Sequence, residues 1–531
     1  MVGQWVESLN PVVRDPRIPP FPFDEEHAMN VLAQCRRWHE TQQYQKIIDT
    51  LEAIDETERT PEMDSELARA YNNAAELKSP DGRRKLRRAI ELLESHEAEL
   101  GDTALWNFRM GYARFYLDQE GRALKHFLSA DEIEPGDEDT RLLIDACRHN
   151  MTLPRFQENF RERTQKAWKA FEENEALLRR MIDEDPRHEN GRALMDICGE
   201  VLASAFDETA FELGFNGVKH ELVLSAEGDR QKLFELVYFR KHPPACVLEH
   251  WNIVVGRRGS SDMALRVDEL DVDGDDVRVW LAPDDDGFKL TVHCPKLARM
   301  KAEDEHRRWW MLSLLSDQIV GEIPAMRWIT GLTVVDEPLP GESILLSELP
   351  AKLAALGKDL SLEAEDLLEQ TIVGYELKPE EDVDADWRLD VVVGSTGCPA
   401  LVEGYLDEED EVVENLHADG VAAGFFAYPI HGLTEEKGTQ GIFEFRDALE
   451  EHLDEVCGPD AVKVLGGATG IHCGYVDFLA WDLPLVLKEA SEFFRKSDVL
   501  WAVFHTFRRN AGTVTLKKPA DEKTEERRSL S

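Results

Sequence analysis

The side chains that could do chemistry cluster first in LGGATGIHCGY, from Leu465 to Tyr475, where glycine would free backbone amides to point at an anion. A phosphate cradle needs a helix N-terminus behind such a loop. Neither GxGxxG nor GxxxxGK followed by Ser or Thr is present, and the next residues read as a strand, so a hairpin turn is expected. His stands beside Cys in VHC, Val292 to Cys294, and again in IHC, Ile471 to Cys473. Adjacent strand residues face opposite sides, so neither pair can grip one ion, and HExxH and paired CxxC are absent. DVDGDD, Asp271 to Asp276, echoes a calcium loop, but its glycine comes two positions early and Ala282 stands where a bidentate Glu is needed. It reads as an acidic β-turn. GSTGC, Gly394 to Cys398, has Val393 two residues before Ser395, where a nucleophile elbow requires glycine. Cys398 with His431, His472 or His505 as base would make a thiol hydrolase, for which the sequence supplies groups without geometry. HADG, His417 to Gly420, and the nearby His431 fall at expected strand and loop edges, where binding residues concentrate. No catalytic residue, metal or cofactor is assigned on this basis.

The elements that must hold these groups change character along the chain. Its 531 residues exceed what one core of roughly 250 to 300 residues can organise. With 42% hydrophobic residues, 12 Trp and 23 Phe there is apolar material for several cores. Residues 1–23 are Pro-rich and end in IPPFPF, and 1–25 are expected to be an extended arm packed on the first helices, because each Pro removes a donor and restricts its predecessor. Over 26–153 apolar positions recur three and four apart between short polar turns, the pattern of helix pairs, with Thr140 to Asn150 as a capping helix. A long charged linking helix is expected at 154–185.

Residues 186–350 read as an α+β module with a largely antiparallel sheet and helices on one face. Its strands are expected at HELVLSAEG, LFELVYFRK, WNIVVGR, VRVWLA, FKLTVHC and ITGLTVVDE, and its helices at GRALMDICGEVLASAF and HRRWWMLSLLSDQIVGE. A helical and acidic link, 351–386, leads to a second α+β module at 387–517. There the order strand, helix, strand, strand, helix, strand is that of the split βαβ, ferredoxin-like unit. A charged tail, 518–531, is expected to be disordered. The fold class is therefore multidomain, all-α repeats followed by two α+β modules.

The third helix pair, from Ala104 to Pro135, carries Gly111, Ala123, Phe127, Ala130 and Pro135 at spacings of 12, 4, 3 and 5. That pattern resembles the tetratricopeptide repeat, in which small residues let two helix axes approach, a large apolar residue fills the next gap, and Pro ends the pair. Two earlier pairs follow it more loosely through Cys35, Trp38, Ile47, Leu51 and Ile54, then Leu67, Ala68, Tyr71, Ala89 and Leu93. With two α+β modules after the repeats, the arrangement resembles uncharacterised bacterial tetratricopeptide-containing proteins. The resemblance implies a groove on the inward helix faces. With Gly111 at the family's small position, Phe108, Arg109, Tyr112 and Phe115 would line that groove, and Arg36, Arg69 and Asn73 would come from the neighbouring helices.

Charge bounds the partners. Acidic residues number 106 against 61 basic ones, a net charge of −45, and such a field repels phosphate backbones and anionic lipid. Nucleic acid and membrane are not expected as partners, whereas a basic protein could be steered in. The N-terminus lacks a basic region followed by an apolar run and a cleavage site, and the eight cysteines are scattered singly, so a cytoplasmic protein with reduced thiols is expected. The function read from these features is a protein-protein interaction scaffold or adaptor whose repeats bind a protein segment. The alternatives are a hydrolytic enzyme with its site in the C-terminal module, and an immunity-type inhibitor of a basic partner.

Overall fold

The computed structural model describes residues 25–185, 190–267, 270–299 and 305–519. The Pro-rich arm up to residue 24 and the tail from residue 520 lie outside the described residues.

The first third is helical: α1 (Glu25–Glu40), α2 (Tyr44–Glu52), α3 (Pro61–Ala74), α4 (Pro80–Glu94), the single turn α5 (Glu97–Leu100), α6 (Ala104–Tyr116), α7 (Glu120–Ile133) and α8 (Glu138–Thr152). Short polar side chains set where the helices start. Ser79 Oγ accepts from Gly82 N at 2.9 Å, Thr103 Oγ1 from Trp106 N at 3.3 Å and Asp137 Oδ2 from Thr140 N at 2.8 Å. Pro61 and Pro80 occupy first-turn positions whose missing N–H costs nothing. The apolar stripes meet in one core containing Cys35, Ile47, Leu51, Leu67, Ala68, Ala89, Leu93 and Met110, and in a smaller one of Ala123, Phe127, Ile144 and Cys147. Successive helices pack in pairs, and α1 also packs on α3 and α3 on α6, so these three form one layer. At Gly111 α7 comes close to α6: a Cβ there would stand 2.8 Å from the Phe127 ring.

The linking helix is α9, Phe160–Asp183, and α10 follows at Gly191–Leu202. Next come β1 (Ala210–Phe215), β2 (His220–Ser225), α11 (Lys232–Arg240), α12 (Ala245–His250), β3 (Trp251–Val255), β4 (Ala264–Val267), β5 (Leu270–Asp273), β6 (Arg278–Asp284) and β7 (Gly287–His293). The stretch closes with α13 (Glu305–Val320), α14 (Glu322–Trp328), β8 (Ile329–Val334), β9 (Ile344–Leu345), α15 (Leu349–Ala355) and α16 (Ala364–Gln370). The expected antiparallel sheet is replaced here by three small ones, ordered β1-β2-β3, β4-β5 and β8-β7-β6-β9, and the pairs β2/β3 and β7/β8 are parallel. LFELVYFRK, read as a strand, is α11. Every residue from Leu233 to Phe239 is buried, so no exposed face reveals its period. DVDGDD closes into a tight turn in which Asp273 Oδ1 accepts from Asp275 N and Asp276 N at 3.0 and 3.2 Å.

The last stretch comprises β10 (Val373–Glu376), β11 (Val391–Thr396), α17 (Pro399–Asp407), α18 (Glu411–Ala418), β12 (Ala422–Pro429), α19 (His431–Lys437), α20 (Thr439–Val456), β13 (Val462–Gly470), β14 (Cys473–Ala480), α21 (Leu483–Lys496), β15 (Ala502–Thr506) and β16 (Val514–Lys517). Seven strands lie in the order β10-β11-β13-β14-β12-β15-β16, and every neighbouring pair is antiparallel. One face buries Phe426, Tyr428, Phe478 and Phe504 with Leu449 and Leu453 of α20 and Val486, Ala490 and Phe494 of α21.

By their contacts the described residues divide into two compact units. One is formed by Glu172–Met195 with Glu208–Thr371; the other by the helical layer through Phe171, Asp196–Asp207 and everything from Ile372 on. The helices and the seven-stranded sheet thus share one unit, into whose chain most of the other unit is inserted.

Candidate functional site

The layer of α1, α3 and α6, together with the first residue of α2, carries a row of partly exposed polar and aromatic side chains. On α3, Asn73 Nδ2 donates to the Arg69 carbonyl at 2.8 Å and stands 3.5 Å from His39 Nε2 on α1. The His39 ring meets Tyr44 edge-on at 5.3 Å. Burial and then the neighbouring Arg69 hold its imidazole below the usual histidine range. On α6, Tyr112 lies 4.7 Å from Tyr116 and 6.4 Å from Phe108 between ring centroids. Burial, followed by Tyr116, pushes its phenol up to about 12.

Beneath the row is a floor of paired charges. Arg109, only 4% exposed, donates to Ser65 Oγ at 2.6 Å and pairs with Glu66, which also lies 3.5 Å from Arg69. Burial opposes ionisation of Glu66, but Arg109 outweighs it and keeps the carboxyl below its ordinary range. Asn72 Nδ2 donates to the Arg109 carbonyl at 3.0 Å, tying α3 to α6.

Six of the seven residues expected to line a groove, Arg36, Arg69, Asn73, Phe108, Tyr112 and Phe115, have side chains at least partly exposed, and Arg109 is buried. Arg109 belongs to the floor and offers no free cation. Phe108 and Phe115 pack on the α6–α8 core, Phe108 at 5.9 Å from Phe127. His39, Tyr44 and Glu66 were not foreseen. Glu66 shares the three-and-four spacing of Arg69 and Asn73, a signal that could have found it.

HADG has a different role. His417, in the last turn of α18, is fully buried, with Nδ1 at 2.5 Å from Glu120 Oε1 and 3.2 Å from Arg508 Nη2. The Ala418 carbonyl accepts from Arg83 Nη2 at 2.9 Å and Arg163 Nη1 at 2.6 Å. Asp419 accepts from the Asp207 amide, and the Gly420 carbonyl accepts from Phe160 N at 2.9 Å. Gly420 has φ +84°, and a Cβ there would stand 2.8 Å from the Glu158 carbonyl, so both backbone and space demand glycine. Glu414 accepts from Gly121 N and Arg122 N at 3.0 and 3.2 Å, capping α7 from across the unit, and pairs with the buried Arg508. A stretch placed by sequence at a strand or loop edge is therefore a buried junction.

The glycine-rich LGGATGIHCGY forms the β13–β14 hairpin. Asp390 Oδ2 accepts from His472 N and Cys473 N at 2.9 and 3.0 Å, and Oδ1 from the Tyr475 hydroxyl at 2.5 Å, so these amides point at the chain's own carboxylate. Cys398 is buried at the start of α17. His505 directs its ring nitrogens to the carbonyls of Thr506 and Ala511, His472 lies 3.4 Å from the Glu381 carbonyl, and His431 is exposed beside Glu435. Burial pushes the Cys473 thiol up to about 12 and raises that of Cys294. Among the described residues no group of three or more His, Cys, Asp or Glu is placed to hold a metal ion, and no helix is long and apolar enough to cross a membrane. No family model, curated protein or solved structure matches this chain.

Proposed function

We propose that this chain is a cytoplasmic protein-interaction scaffold whose helical layer binds a protein segment along α1, α3 and α6. The observation that carries the reading is the row His39, Tyr44, Arg69, Asn73 and Tyr112 on a floor whose own charges are already paired. Aromatic and guanidinium groups anchored on a rigid base lose little conformational freedom on binding, the property of interface hot spots. The tetratricopeptide-like reading of the helices is supported by their pairwise packing and by the Gly111–Phe127 approach. The ferredoxin-like reading of the last module is supported by its four core strands, which lie in the order second, third, first, fourth.

The test is a display selection of peptides on the full chain, followed by calorimetric titration of the selected peptide. Relative to wild type, a variant carrying Arg69→Ala and Tyr112→Ala is expected to bind at least about tenfold more weakly while remaining folded. Unchanged affinity in that variant sinks the proposal.

A further inference from the structure

Between the α3–α4 turn, the end of α6 and the start of α9 lies a partly open cavity lined by Lys78, Arg83, Tyr116, Gln157, Glu158 and Arg163, with Leu77 and Leu86 closing the apolar side. It has room for about one water-sized sphere. The charges on its wall are unequally matched. Glu158 is held through both oxygens, each 3.0 Å from Lys166 Nζ. Arg163 has its own carboxylate, Asp118, at 2.5 Å. Arg83 has none of its own: its nearest acids, Asp118 at 3.8 Å and Asp207 at 3.6 Å, sit closer to Arg163 and Arg87. Its Nη2 donates to the Ala418 carbonyl, and its buried Nε–H has no acceptor. A buried guanidinium with an unused donor and only shared counter-charges is costly unless an anion completes it. Consistent with that imbalance, burial and then Arg163 lower the Arg83 pKa to about 10.

We propose that this cavity is a binding site for a small, singly charged anion, either a halide or one end of a carboxylate, held by Arg83 with Lys78 at the mouth. The leucines exclude water from one side, and the cavity's size rejects phosphate and sulfate. In a chain of net charge −45 such an anion must be drawn by local geometry, because the overall field opposes it.

The experiment follows thermal unfolding of the full chain while sodium bromide or sodium formate replaces sodium isethionate, a singly charged sulfonate with no carboxylate, at constant ionic strength. A saturable rise in the midpoint is expected in wild type. Arg83→Lys keeps the charge and removes the Nε–H geometry, and is expected to weaken half-saturation by about tenfold. Leu77→Trp, at an exposed wall position, should obstruct the cavity without altering a charge and abolish the response. Bromide crystals should show an anomalous peak beside Arg83 Nε. A response to bromide alone identifies a halide site, and a response to formate as well identifies a carboxylate site. No saturable response in wild type, or an equal response in the folded Leu77→Trp variant, overturns the proposal.

Discussion

The α1–α3–α6 face and the HADG junction belong to the same unit and are built from the same residue types, yet they differ in what their charges do. At the junction Arg508, Glu120 and Glu414 are fully or almost fully buried and joined to each other and to backbone amides. On the helical face the charges are layered: Arg109 and Glu66 neutralise each other below, while Arg69 and Asn73 remain accessible above. A histidine, arginine or acid in a list therefore says little about function until its burial is known. Buried among its partners, it holds the fold; supported from below and open above, it is available to a partner.

The difference should be largest where a junction charge is removed. Arg508→Ala leaves Glu414 buried without its cation and Glu120 with His417 alone, and should lower stability by about 3–5 kcal/mol, read by urea denaturation. The second effect is one of pH. Burial opposes ionisation of Glu120, but His417 and Arg508 outweigh it and hold its carboxyl down at about 2. Because the folded value is depressed, its stabilisation is present above the unfolded carboxylate range and is lost as pH falls toward 2. Over that window wild type should lose about 3 kcal/mol more than Glu120→Gln, measured by denaturation from pH 5 to pH 2. The smallest effect belongs to the face: Arg69→Ala and Asn73→Ala should each change stability by less than about 0.5 kcal/mol. A large loss there would erase the distinction between the two regions.

The helical layer was legible because its signals are local. Apolar positions three and four apart between short polar turns, and Gly111 twelve residues before Ala123, all act within one hairpin. The β13–β14 hairpin was legible for the same reason. Arg69 and Asn73, four apart on α3, could be placed on one face by helical spacing, but the burial of Arg109 could not, since it depends on Ser65 and Glu66 of another helix. The junction was out of reach because its partners are far apart in the chain, His417 meeting Glu120 across 297 residues. α11 was misread because total burial removes the polar face that distinguishes a period of 3.6 from one of 2.

The insertion of one unit into the chain of the other also sets an order of events on the ribosome. Helix α8 ends at Thr152, but Arg508, which closes the junction against α7, emerges only after the whole inserted unit has been made. At typical synthesis rates that interval lasts roughly 20 to 70 s. Throughout it the nascent helices carry Glu120 and the amides of Gly121 and Arg122 without the groups that later cover them. Translation speed through the insert thus becomes a determinant of yield, and chaperones that shield helical surfaces should associate with the nascent chain during that window.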